Sequence, residues 1–369
     1  MSIVLILYVA IIGYIYYTIY FANHTDLLVN RMSAGDHSDT AYLAVLDARL
    51  AMMRSLLYVA VSFISLFIPY LLLNASASAN ADQFLEQGIV VPQIDTTTLI
   101  IGIAVTIIMT GFGFQTVSST PFRMAIAKRI PAYKPDSWVH NTAILMMLLL
   151  MTAQFILFLS QGGTEAMAQS IQENGADVVS LLIQLWLQVI AAFLGIGWAI
   201  RRDWMSALNR LGLRIPTRQD WLWGIGGGLG LLVILWIFGL VMGLIVALLL
   251  PDQLESVEAM NQANDSIAIA FSTIPLALLL SSTAAIGEEI LFRGALQPVF
   301  GNIAISLFFA SLHTQSLLSP AIILLFAISI GLGVIRKRAS TTAAILAHFI
   351  YNFAQLLIAI LLVSSVGGI

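Results

Sequence analysis

Apolar residues run in long unbroken stretches along this chain, and polar residues are confined to the gaps between them. The stretches lie near 2–22, 50–73, 97–118, 141–160, 178–200, 223–250, 267–297, 302–317, 320–335 and 341–364. Runs of about eighteen or more apolar residues recur, long enough to cross a bilayer as helices. They lack the polar–apolar alternation of a transmembrane β-strand. The pattern predicts an all-α, polytopic transmembrane helical bundle of about ten helices. The first run, "MSIVLILYVAIIGYIYYTIYF", has no basic leader and no clear small-residue cleavage site. It is expected to be a retained helix rather than a signal peptide.

The gaps alternate in charge. Segment 24–49 holds Arg31 and Arg49, with Arg54 flanking; 119–140 holds Arg123, Lys128, Arg129 and Lys134; 201–222 holds Arg201, Arg202, Arg210, Arg214 and Arg218. The intervening gaps 74–96, 161–177 and 251–266 hold no Lys or Arg. Excess Lys and Arg mark the cytoplasmic side. Both termini are therefore expected away from the cytoplasm. Arg293 and Arg336–Lys337–Arg338 are expected near the cytoplasmic face. Basic stretches 119–135 and 201–218 carry aromatic and Met residues, and are expected as short helices on the anionic leaflet.

Composition fixes the class. Hydrophobic residues make up 59% and charged residues 9% of 369 positions, and mean hydropathy is +0.94. No soluble globular domain has this balance. With no cysteine, disulfides, thiolate metal sites and Cys nucleophiles are excluded. "WGIGGGLG" at 223–230 follows no strand, so it predicts a close-packing helix face, not a nucleotide loop. No internal repeat is found. Segment 201–222 marks the expected boundary between an N-terminal helical region, 1–219, and a C-terminal core, 220–369.

One stretch breaks the apolar rule. "IGEEILFRGALQ" places Glu288, Glu289 and Arg293 inside a leucine-rich run. Glu289 and Arg293 are at i, i+4, the spacing and order of a helical ion pair. Counting from Gln297, Glu288 lies about 14 Å into the helix. By the same count His313 is roughly 17 Å from Asn302, and His348 and Asn352 are roughly 12 and 18 Å from Ser340. A lone intramembrane His is as often a packing residue as a functional one. Four polar groups at one depth on three helices point instead to an internal cavity.

That set suits water-driven amide hydrolysis. A carboxylate acts as general base, a His shares the water, and an Asn amide beside a second His donates to the oxyanion. Ser281, Ser282 and Ser311 lack the context of a nucleophile. A zinc site of two His and a Glu stays open, although no H-E-x-x-H is present. A proton-coupled transporter would need paired, broken helices, which are absent here.

The three motifs, "EEILFR" (Glu288, Glu289, Arg293), "FASLH" (Phe309, His313) and "HFIYN" (His348, Asn352), resemble those of the CPBP family of CAAX prenyl endopeptidases and bacteriocin-processing, Abi-type membrane proteins. The resemblance covers about 220–369. It implies an intramembrane endopeptidase in which Glu288 and His313 activate water. His348 and Asn352 would form the oxyanion site, and Glu289 and Arg293 would orient the cluster. It implies no cofactor, with a zinc metalloprotease and a non-proteolytic scaffold or immunity protein as the alternatives. The partners implied are the lipid bilayer and a membrane protein or peptide substrate, not nucleic acid. The expected location is a bacterial inner membrane, with the site facing the cytoplasm.

Overall fold

A computed structural model describes residues 3–35, 40, 42, 44–49, 96–160, 163–249, 254–313, 316 and 321–366. The described residues are overwhelmingly helical and contain no strand beyond one isolated bridge, Trp198 with Arg202. Six apolar helices or helical stretches among them are long enough to cross a membrane. The run 50–73 lies outside the described residues. The chain divides into two compact units: 1–162 with 197–203, and 163–196 with 204–369. The second unit thus includes residues N-terminal to 220 as well as the segment 220–369.

The first unit contains α1 (Ile3–Ser33), α2 (Thr96–Ser118), α3 (Thr120–Arg129) and α4 (Trp138–Ser160). Helix α1 continues eleven residues beyond the expected span because its polar residues are satisfied internally. Thr25 donates to the Phe21 carbonyl, and the buried Asp26 accepts 2.7 Å bonds from Ser137 Oγ and Trp138 N at the start of α4. The basic gap after α2 forms α3, started by Ser119 and Pro121 and closed by Lys128 and Arg129. Cations in a last turn oppose the negative end of the helix dipole.

The second unit contains α5 (Gly163–Asn174), α6 (Val178–Gly195), α7 (Trp204–Leu211), α8 (Arg218–Leu249), α9 (Leu254–Ala270), α10 (Ile274–Glu288), a π-helix (Glu289–Leu296), α11 (Gln297–Ser311), α12 (Ala321–Arg338) and α13 (Thr341–Val366). Three corrections to the sequence reading follow. The polar gaps 161–177 and 251–266 are largely helical: α5 and α9 pack on each other, with Gln172 bonded to Ser266. The span expected from 267 starts at Ile274, where Pro275 occupies the first turn, a position that needs no N–H. The expected loop between 297 and 302 shrinks to Gly301, whose φ of 82° reverses the chain within a helical stretch. Only glycine adopts that φ without strain. Phe292 therefore lies beside Phe308 and Phe309, with ring centroids 5.6 and 5.3 Å apart.

Helices α8, α12 and α13 enclose a core of Leu231, Ile328, Leu332, Ile335, Ala343, Ala344, Ala347 and Tyr351. A Cβ on Gly228 would stand 2.7 Å from the Ala347 carbonyl. The glycine stretch is thus the packing face its spacing predicts. At one end Asp220 fastens the helices together. Its fully buried carboxylate accepts from Arg214 Nε and Nη2, Thr217 N and Oγ1, and Ser340 Oγ at the start of α13. Asp220→Ala is expected to lower stability by about 2 kcal/mol, because the buried Ser340 hydroxyl loses its charged acceptor and Arg214 and Thr217 lose theirs at the surface. Thermal unfolding in detergent measures this, and a wild-type midpoint would contradict it.

Candidate active site

The motif residues lie on the hairpin around Gly301 and on α13. Helix α10 ends at Glu288, and the next eight residues wind as a π-helix. Such wide turns leave main-chain groups misaligned and concentrate at functional sites. Here Arg210 of α7 donates to the carbonyls of Gly294 and Ala295, at 3.0 and 3.4 Å. A cation thus satisfies carbonyls near the end of the wide turn.

Glu289 and Arg293 are wholly buried. Arg293 Nε stands 3.2 Å from Glu289 Oε2, the i, i+4 pair the spacing predicts. Arg293 Nη2 reaches across to α12 and donates to Ser329 Oγ at 3.0 Å and to its carbonyl at 3.3 Å. Its guanidinium carbon lies 5.0 Å from the centre of the Phe309 ring, within cation–π range. The other oxygen of Glu289, Oε1, accepts from His348 Nδ1 at 2.9 Å. One carboxylate therefore ties the π-helix to α13.

Phe309 joins the histidines. Its ring centre is 4.6 Å from that of His313 and 6.3 Å from that of His348. His313 lies just beyond the end of α11, and its Nδ1 is 2.9 Å from the Phe309 carbonyl. A carbonyl and a carboxylate can only accept, so Nδ1 carries the proton on both rings. Each histidine consequently presents Nε2 to the site.

Glu288 and Asn352 are half-buried. Among the described residues no hydrogen bond or ion pair joins Glu288 to His313, or Asn352 to His348. The structure gathers Glu289, Arg293, His348, Phe309 and His313 into one contact network. Glu288 stands one residue from that network, and Asn352 one turn along α13 from His348. Among the described residues no three His, Asp or Glu side chains are close enough to share a metal ion. Gln297, taken as the wet end of its helix, is itself buried and donates to the Gly333 carbonyl.

Ser329 escapes the sequence reading. Its only signal is a lone hydroxyl in the apolar run "LLFAISIGLG", and serine in a membrane helix commonly bonds its own backbone. Asn302 behaves similarly: it donates to the Ile330 carbonyl rather than facing water.

Residues 270–354 match a family model described as Type II CAAX prenyl endopeptidase Rce1-like. The match spans α10, the π-helix, α11, α12 and the first half of α13. No curated protein and no solved structure matches the chain. The segment 270–354 is thus similar to the Rce1-like CAAX prenyl endopeptidases, and the chain is an all-α protein with helices apolar enough to span a membrane.

Proposed function

We propose that this chain, through its Rce1-like segment, hydrolyses a peptide bond of a membrane-associated protein or peptide with a Glu288-activated water. The observation that carries the reading is the division of labour between adjacent carboxylates. Glu289 is held by an ion pair to Arg293 and a hydrogen bond to His348, while Glu288 is half-buried and carries no such bonds among the described residues. A base must be free to take a proton, and an orienting group must not move. Glu288 would abstract the water proton as the oxygen attacks the carbonyl, then pass it to the leaving amine. His313 Nε2 would accept a hydrogen bond from the same water. His348 Nε2, once protonated, and the Asn352 amide would donate to the oxyanion. Glu289 holds the His348 ring in place; it does not touch substrate.

The charge pattern supports a cytoplasmic-facing site, and a bacterial inner membrane is the location proposed for it. The experiment that tests the function compares membrane peptides accumulated in cells carrying Glu288→Ala with those in wild type. Uncleaved precursors that appear only with the variant support proteolysis. Identical peptide sets would count against it and favour a scaffold.

A further inference from the structure

The turn between α7 and α8 and the end of α12 bring cations from distant parts of the chain together. Gln219 donates to the Arg338 carbonyl at 2.7 Å, and Arg214 Nη2 lies 3.5 Å from the Ala339 carbonyl. Arg214 N and the Arg214 carbonyl both bond Thr342 Oγ1. Residues 214–219 therefore abut residues 338–342, which brings Arg218, Arg338 and the adjoining Lys337 to one corner of the fold.

The carboxylate in this corner is Asp220, which is wholly buried and already accepts five hydrogen bonds. It has no capacity left for the outer cations. Arg218, Lys337 and Arg338 are exposed, and among the described residues none has a carboxylate partner. Apolar groups edge the same corner: Ile215 is 89% and Trp221 49% exposed. Trp at the border of an apolar span sits at headgroup level. Three unneutralised cations on a fixed backbone, beside interfacial apolar side chains, match a lipid whose phosphate is anionic and whose tails lie alongside.

We propose that Arg218, Lys337 and Arg338 form a binding site for an anionic phospholipid headgroup at the junction of α8, α12 and α13. The site is independent of the hydrolytic cluster. Bound lipid bridges the end of α12 to the start of α8, reinforcing the corner that Asp220 already fastens.

The test uses the full chain in phosphatidylcholine nanodiscs, with and without phosphatidylglycerol, and native mass spectrometry of the released protein. Wild type is expected to retain phosphatidylglycerol in preference to phosphatidylcholine, less so as salt rises. Each cation contributes about fivefold in affinity, so the double variant Lys337→Gln/Arg338→Gln should weaken retention roughly twenty-five-fold. Arg31→Gln, in the last turn of α1, should leave it unchanged. Arg218→Gln alone, weakening retention about fivefold, provides a milder variant should the double variant not fold. No preference in wild type, retention insensitive to salt, or a loss in the α1 variant equal to that of Arg218→Gln would overturn the proposal.

Discussion

Glu288→Gln is expected to abolish peptide hydrolysis while leaving the fold intact. The amide keeps the volume and one hydrogen-bonding oxygen but cannot take a proton from water. Loss of a general base costs about 10²–10⁴ in rate, and here the same group would also return the proton to the leaving amine. Stability should change little: Glu288 carries no ion pair or hydrogen bond among the described residues, and a neutral amide is easier to hold in an apolar helix than a charge. The measurement is cleavage of a farnesylated CAAX-type peptide and of any precursor identified in cells, in liposomes. Wild type and variant are compared before and after exhaustive chelation, with elemental analysis of the same samples. Turnover that survives Glu288→Gln would remove Glu288 from the mechanism. Stoichiometric zinc, with activity lost on its removal and regained on its return, would promote the metalloprotease alternative.

Glu289→Gln should act through stability first. Arg293 is wholly buried and has Glu289 as its charged partner. Removing one member of a buried ion pair costs about 3–5 kcal/mol, since the remaining charge stays out of water. The His348 bond is also weakened, so activity falls with stability. Removing both charges should separate the two effects. In Glu289→Gln/Arg293→Met no lone charge remains, and thermal stability should return toward wild type. Hydrolysis should not return, because His348 has lost the carboxylate that orients it. The readouts are unfolding midpoint in detergent and residual cleavage. A single Glu289→Gln variant as stable as wild type would show that the pair is not what holds Arg293.

Much of this was legible in the chain. Apolar runs of sufficient length gave the helices near 97–118, 141–160, 223–250 and 341–364 to within a few residues, because a membrane span must satisfy its own backbone. The Glu289–Arg293 pair followed from i, i+4 spacing, which a π-turn preserves well enough. Other features depend on partners distant in sequence. Helices α5 and α9 are polar, and α9 lies in a gap that carries no apolar span; their stability comes from packing on each other, as in Gln172 to Ser266. The Glu289–His348 bond joins residues 59 apart. Periodicity could place both within the membrane but could not choose between His348 and His313 as the partner. The turn at Gly301 was read as a short loop, since a glycine among apolar residues does not reveal its φ.

The π-helix between Glu289 and Leu296 makes chain length, and not only residue identity, a determinant of the site. A π-turn amounts to one residue too many for an α-helical path. Wound as ordinary α-helix at its present length, the segment would carry that extra residue into the phase of the helix. Everything downstream would then rotate by about 100° relative to α10. Gln297 and Asn302 would swing off the Gly333 and Ile330 carbonyls that receive them. The hairpin is phased like two gears, and a tooth out of step disengages it even when every functional side chain is present.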